Sequence, residues 1–316
     1  MTIYILISSV LAHDARYDRI GRGVEPRYVS AVPATHGGVR VPGSASPTAL
    51  LGVDDHMARL ANGAILRRAI ARRELHCVFQ PIVELANATI VGAEALVRWQ
   101  HPELGRVAPS GFVETAEATG VVPVLGRFVL DEACCAAARW PSGSRGPVPV
   151  SVNVSPLQLD GGDLAVVVER ALDESGLDPA RLVLELTESS EVIDLEGAAS
   201  QLAEVRARGV AVVLDDLGSG YSSLLRLVRL PVDGVKIDSA LVGGVCDDPH
   251  AAAVVRSIAA LARALEIDAV AEGVETAAQR ACLVDLGCTL GQGYYFAKPM
   301  PAGAFVARLA RVRPRS

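Results

Sequence analysis

Short apolar runs alternate along most of this chain with longer segments in which apolar residues recur every three or four positions. The runs at 77–83, 89–98, 148–154, 182–186, 210–214, 234–237, 269–274 and 290–296 have the length and composition of strands. The segments at 110–118, 122–140, 164–175, 195–208, 222–228, 251–265, 277–286 and 301–311 read as helices. Strands separated by such helices predict βα units and a parallel sheet. Eight of them in roughly 240 residues predict a closed (β/α)8 barrel rather than an open sheet. No repeat of fixed period is visible.

Ahead of residue 74 the pattern is different. Residues 1–53 carry little periodicity, and Gly37-Gly38, Pro42-Gly43 and 44–47 read as linker, so poor order is expected there. Residues 54–73 predict a lead-in helix, with Met57, Leu60, Ala61, Ile65 and Leu66 at helical spacing. The main domain is then 74–311. The apolar start at 3–11 lacks a basic flank, which makes it a poor signal peptide. No run of about 20 apolar residues predicts a membrane span.

Composition changes this picture in three places. Half the residues are hydrophobic, enough for a sizeable core, and the formal net charge of -6 argues against duplex nucleic acid as a partner. The cysteines are Cys77, Cys134, Cys135, Cys246, Cys282 and Cys288, with no CxxC among them. They read as buried free thiols in a reducing cytoplasm. Basic residues are nearly all arginine, so the only two lysines, Lys236 and Lys298, stand out.

Chemistry in such barrels gathers at the carboxyl ends of strands. Nearly every predicted strand ends on a group that could take part: Glu94, Asn153, Glu185, Asp215-Asp216, Lys236, Glu272 with Glu275, and Gln292 with Tyr294. Singly, each admits a plainer role. Asn153 could cap a helix starting near Pro156, Lys236 could form a surface ion pair, and the aspartates could hydrogen-bond the turn at Gly218. Together they converge on one mouth. Carboxylates aimed at one point repel unless a cation sits among them. An oxygen-rich set suits Mg²⁺ or Mn²⁺ better than zinc, and His101 and His250 lie in loop or helix contexts. Alternation along a strand predicts that Asp215 and Asp216 point different ways, one bridging and one beside it, so that both can reach a shared cation pair from the end of a single strand.

The stretch Glu94-Ala95-Leu96-Val97-Arg98-Trp99-Gln100-His101-Pro102 resembles the signature of the EAL-domain family, phosphodiesterases specific for cyclic di-GMP. Phe79-Gln80-Pro81-Ile82-Val83, Asn153-Val154-Ser155, Glu185-Leu186-Thr187-Glu188-Ser189, Lys236-Ile237-Asp238, Glu272-Gly273-Val274-Glu275-Thr276 and Gln292-Gly293-Tyr294-Tyr295-Phe296-Ala297-Lys298-Pro299 resemble its other motifs, in order. The resemblance implies a (β/α)8-like barrel whose first strand runs antiparallel to the rest. It implies hydrolysis of cyclic di-GMP to linear pGpG, in bacterial second-messenger signalling. It implies a two-metal site for Mg²⁺ or Mn²⁺ with Glu94, Asn153, Glu185 and Asp215 as ligands and Asp216 at the second metal. Lys236 and Glu272 would position or activate the attacking water, and with Glu94 they are the catalytic candidates. Gln80, Leu96, Arg98 and Tyr294 would line the substrate, Gln292 would lie near the metals, and Glu275 would support the loop after the Asp pair. A homodimer through 216–223 is implied as well.

Two positions depart from the family pattern. Leu217 stands where Asp-Asp-Phe-Gly is usual, which keeps an apolar anchor with less ring area. Pro156 follows Asn-Val-Ser where Ala is commoner. There is no Gly-Gly-Asp-Glu-Phe cyclase motif. The alternative function is a cyclic di-GMP receptor without catalysis. Such members typically lose a metal ligand or the lysine, and this chain retains all of them.

Overall fold

The computed structural model describes residues 62–187, 194–218 and 223–311. The segment expected to be poorly ordered, and the first part of the lead-in helix, lie outside them. The lead-in helix is present over 62–71 and buries Leu66 and Ala69.

Nine strands follow: β1 Leu75–Glu84, β2 Ile90–His101, β3 Gly105–Val107, β4 Val150–Val154, β5 Leu182–Leu186, β6 Ala211–Leu217, β7 Gly234–Ile237, β8 Asp268–Ala271 and β9 Leu290–Gly291. Their order is β1-β9-β8-β7-β6-β5-β4-β2-β3, and a further β1–β2 pairing closes eight of them into a barrel. β3 is only a hairpin on the far end of β2. β1 runs antiparallel to both neighbours, β2 and β9. All other barrel pairings are parallel.

The local chemistry explains the elements. Central strands such as β4 and β5 are largely apolar because both faces are covered, with Asn153 and Glu185 as polar exceptions near their carboxyl ends. Helices start on side chains that accept from free backbone N–H groups: Asp194 from Glu196 and Gly197, Asp238 from Ala240, Asp248 from His250, and Thr276 from Gln279. The cap at Asp238 opens a short helix, Ser239–Gly244, which the apolar pattern does not reveal.

Three expectations need correction. The last strand is two residues long rather than seven, and 294–296 form a turn. The reason is Gly293: a Cβ there would lie 2.1 Å from the Val274 carbonyl oxygen, so the chain turns against that backbone instead of running on. The helix expected to reach Trp140 ends at Ala137. Cys246 and Cys282 are not free thiols but a disulfide, with a Cα–Cα separation of 6.0 Å. Two successive βα units lay these residues side by side, which a sequence separation of 36 conceals. Cys77, Cys134, Cys135 and Cys288 are free, and Cys135 is exposed. Among the described residues no helix is long and apolar enough to cross a membrane.

Candidate active site

The aspartate pair sits on a bulge. Between Leu214 and Leu217 strand β6 has one residue more than β7 has between Val235 and Ile237, so Asp215 and Asp216 together stand opposite Lys236. Asp216 has φ 56, the left-handed region, and its N–H donates to Asp215 Oδ1 at 2.9 Å. This breaks strand alternation. Asp215, Asp216 and Glu272 each place a carboxylate oxygen within 4.8 Å of the others, so the two aspartates reach one shared site from a single strand end, as expected, though through a bulge rather than through regular alternation.

Lys236 is the centre of the cluster. Its Nζ lies 2.6 Å from Glu272 Oε1, 2.8 Å from Glu185 Oε2, 3.3 Å from Asp215 Oδ1 and 3.7 Å from Glu94 Oε2. A second net of neutral donors holds Glu94. Asn153 Nδ2 donates to Glu94 Oε1 at 2.8 Å, and Gln292 Nε2 donates to Glu94 Oε2 at 2.6 Å and to Gln80 Oε1 at 3.2 Å. Asn153 therefore does not cap the turn at Pro156. Ser155 does, in a capping box with Gln158. The register shows why these groups meet: Asn153 is level with Glu185, and β6 and β7 bring Asp215 and Lys236 alongside.

The electrostatics ask for more positive charge. Burial pushes the Glu185 carboxyl up to about 8, with Glu94 and Asp215 adding repulsion against the pull of Lys236. Burial likewise raises Asp215 and carries Glu272 well above the usual carboxylate range. Burial alone would lower Lys236, but Asp215 and Glu185, followed by Glu272 and Glu94, hold it well above its ordinary value. The ammonium therefore stays charged, and one cation faces four carboxylates. Glu272 Oε2 and Gln292 Oε1 are buried without a hydrogen-bond partner. An orphaned carboxylate oxygen beside two more carboxylates is the donor set a hard divalent cation takes, so these residues fit a metal.

A cleft opens above the cluster. Gln80, Leu96, Arg98, Tyr294 and Glu275 line it with Glu94, Asn153, Asp215, Asp216, Glu272 and Gln292. Glu185 and Lys236 are sealed beneath its floor. The candidate site residues thus gather around this mouth, Glu185 and Lys236 just beneath it and Glu275 exposed at the rim, while Lys298 does not line it. The far wall was not legible. Val113 and Glu117 come from helix Pro109–Ala118, and Val122, Leu125 and Gly126 from helix Val122–Ala137. Ser155 and Gln158 also line it. Helical periodicity marks such residues only as helix. Leu217 is buried, as an apolar anchor should be.

Comparison with known proteins points the same way. The sequence model of the EAL domain matches residues 64–299. The bifunctional diguanylate cyclase/cyclic di-GMP phosphodiesterase MucR of Pseudomonas aeruginosa is 42% identical over 245 residues, covering 78% of this chain and 36% of MucR. An uncharacterised Mycobacterium bovis protein is 40% identical over 245 residues, 76% of this chain and 80% of its own length. This chain thus spans little more than a third of MucR. Among solved structures, the MucR phosphodiesterase in complex with c-di-GMP is 41% identical, with a TM-score of 0.72, covering 78% of this chain and all of that one. The EAL enzyme Bd1971, bound to cAMP and cyclic di-GMP, is 30% identical with a TM-score of 0.75, over 83% and 72% of the two chains. With its barrel, its reversed first strand and its ring of carboxylates around one lysine, this chain belongs to the EAL-domain family.

Proposed function

We propose that this chain hydrolyses one phosphodiester bond of cyclic di-GMP, giving linear pGpG. The observation that carries this reading is the buried ring of Glu94, Glu185, Asp215 and Glu272 around Lys236, with one oxygen of Glu272 left orphaned. The likeness to MucR and Bd1971, both solved with the cyclic dinucleotide, supports the substrate. Glu94, Asn153, Glu185, Asp215 and Asp216 are assigned to two Mg²⁺ or Mn²⁺ ions. Such ions neutralise charge on phosphoryl oxygens and acidify water.

The chain's own groups do the rest. Lys236 keeps a compact, permanent charge at the centre of the carboxylates, a task the wide guanidinium fork of an arginine cannot perform. Glu272, held 2.6 Å from Lys236 with its other oxygen orphaned, would position the attacking water and accept its proton when bound cations keep it as the carboxylate. Gln292 and Asn153 fix both oxygens of Glu94. Arg98 offers paired donors to the phosphate that is not cut. Gln80, Leu96 and Tyr294 form the walls, and Glu275 is assigned to support the loop after the Asp pair, most of which lies outside the described residues.

The test is turnover by the purified chain with Mg²⁺ or Mn²⁺, abolished in Glu94→Ala. Tight binding of cyclic di-GMP without turnover would make the chain a receptor instead. A cytoplasmic setting belongs to the same proposal, since the substrate is an intracellular messenger. So does a homodimer, supported by the exposed Leu225 and Val228 on helix Ser223–Arg229, close after the Asp pair. Light scattering that finds a monomer at every concentration removes the dimer.

A further inference from the structure

We propose that Glu117 is a positioning residue which, through Ser155, fixes the chain just beyond Asn153 and so aims that amide at Glu94. The inference rests on the metal-site reading above and deepens it. Asn153 is the last but one residue of β4, and Ser155 is the first residue past the strand. Ser155 Oγ donates to Glu117 Oε1 at 3.0 Å and accepts from the N–H of Leu157 at 3.4 Å. The Ser155 N–H donates to Gln158 Oε1 at 3.1 Å. Gln158 in turn lies against Gly126, where a Cβ would come 2.3 Å from its amide nitrogen.

The exit of β4 is therefore gripped from three sides. Helix Pro109–Ala118 supplies a carboxylate, the turn Pro156–Gln158 an amide, and helix Val122–Ala137 a gap with no side chain. A hydroxyl held by a carboxylate is bound about twice as strongly as one held by a neutral acceptor. Two residues back, Asn153 Nδ2 makes its 2.8 Å bond to Glu94 Oε1. That bond sets which way Glu94 turns its oxygens, and a short loop so restrained cannot swing the amide away. Groups that orient metal ligands in this way are each worth about 10- to 100-fold in metal affinity.

Glu117 also lines the cleft, so direct contact with the substrate is the competing role. The experiment separates the two. Mn²⁺ binding to the full chain is measured without substrate, by the electron paramagnetic resonance of free Mn²⁺. KM and kcat for cyclic di-GMP are measured at saturating Mn²⁺. Ser155→Ala and Glu117→Ala should each weaken Mn²⁺ about 10-fold or more. The double variant should be no worse than either single one, because both cut the same path. Glu117→Gln keeps an acceptor oxygen and should recover most of the affinity. KM at saturating Mn²⁺ should not move.

Unchanged Mn²⁺ affinity across these variants overturns the proposal. So does a raised KM in Glu117→Ala with Mn²⁺ affinity intact, since the carboxylate would then touch the substrate itself. If an alanine variant does not fold, Gly126→Ala serves. It displaces Gln158 without removing any polar group and should weaken Mn²⁺ in the same direction, and unchanged affinity there counts against the proposal. A wild-type chain that binds Mn²⁺ but leaves cyclic di-GMP intact refutes the hydrolase reading, while the Mn²⁺ comparison still decides the role of Glu117. A wild-type chain that binds no Mn²⁺ refutes both.

Discussion

Lys236 Nζ stands 2.6 Å from Glu272 Oε1, and both side chains are almost completely buried. This is the shortest of four ion pairs made by one ammonium. Removing the ammonium would strand buried carboxylates, and broken buried ion pairs are strongly destabilising. The informative variant is therefore Lys236→Arg, which keeps the charge but not its shape. We expect kcat to fall by about 10²–10⁴, the range for a misplaced proton-handling group, with the circular dichroism spectrum unchanged. Turnover at the wild-type rate would remove the role given to the lysine.

The same cluster predicts how stability varies with pH. In the metal-free protein burial pushes the Glu185 carboxyl up to about 8, and raises Asp215 and Glu272 too. Above the ordinary carboxylate value of 4.5 the unfolded chain has released protons that the folded chain still holds. The stabilisation is thus complete at low pH and is lost as pH rises through the folded value. The melting temperature without metal should fall from about pH 5 to about pH 8, while Mn²⁺ affinity rises over the same window because ions and protons compete. A metal-free melting temperature that climbs across that range contradicts the assignment.

Gly293 tests the closing of the barrel. A Cβ there would meet the Val274 backbone at 2.1 Å and 2.3 Å, and backbone cannot move aside as a side chain can. Gly293→Ala should lose about 3 kcal/mol, at the upper end of overpacking costs, read by urea unfolding. Turnover should fall with it, because Gln292 and Tyr294 flank the residue. A stable, fully active variant would show that the turn is not held as described.

The Cys246–Cys282 pair can be counted. Thiol titration of the unfolded, unreduced protein should find four thiols, and six after reduction. For a sequence separation of 36, chain entropy puts the stabilisation at about 4 kcal/mol. Reduction should lower the melting temperature accordingly. Six thiols without reductant would mean the bond does not form.

Much of this molecule was legible in advance, for identifiable reasons. A barrel confines chemistry to strand ends, so an out-of-place polar residue such as Glu185 or Lys236 after an apolar run signals both the strand and its direction. Other features left no such trace. The bulge at Asp215 and Asp216 arises from the left-handed φ of Asp216, and aspartate tolerates that conformation without announcing it. The end of β9 is hidden in the sequence because Gly291 to Phe296 has strand-like composition, and only contact with Val274 turns it. Glu117 lay within a helical pattern, and its bond to Ser155 spans 38 residues.

The reversal of β1 decides where the chain enters. Were every strand parallel, the polypeptide would arrive at the end of the barrel away from the chemistry. Here Leu75 pairs with Trp99, well beyond Glu94 along β2, so the chain crosses over the rim of the cup on its way in. The helix at 62–71 is left resting on the shoulder of the cleft. Arg67 reaches the Gly120 carbonyl at 3.4 Å, and Gly63 sits so close to Thr119 that a Cβ would approach it to 2.9 Å. Those contacts fall two and three residues past Glu117. The reversed first strand thus brings the helix at 62–71 to the wall of the cleft itself, against the segment that follows Glu117.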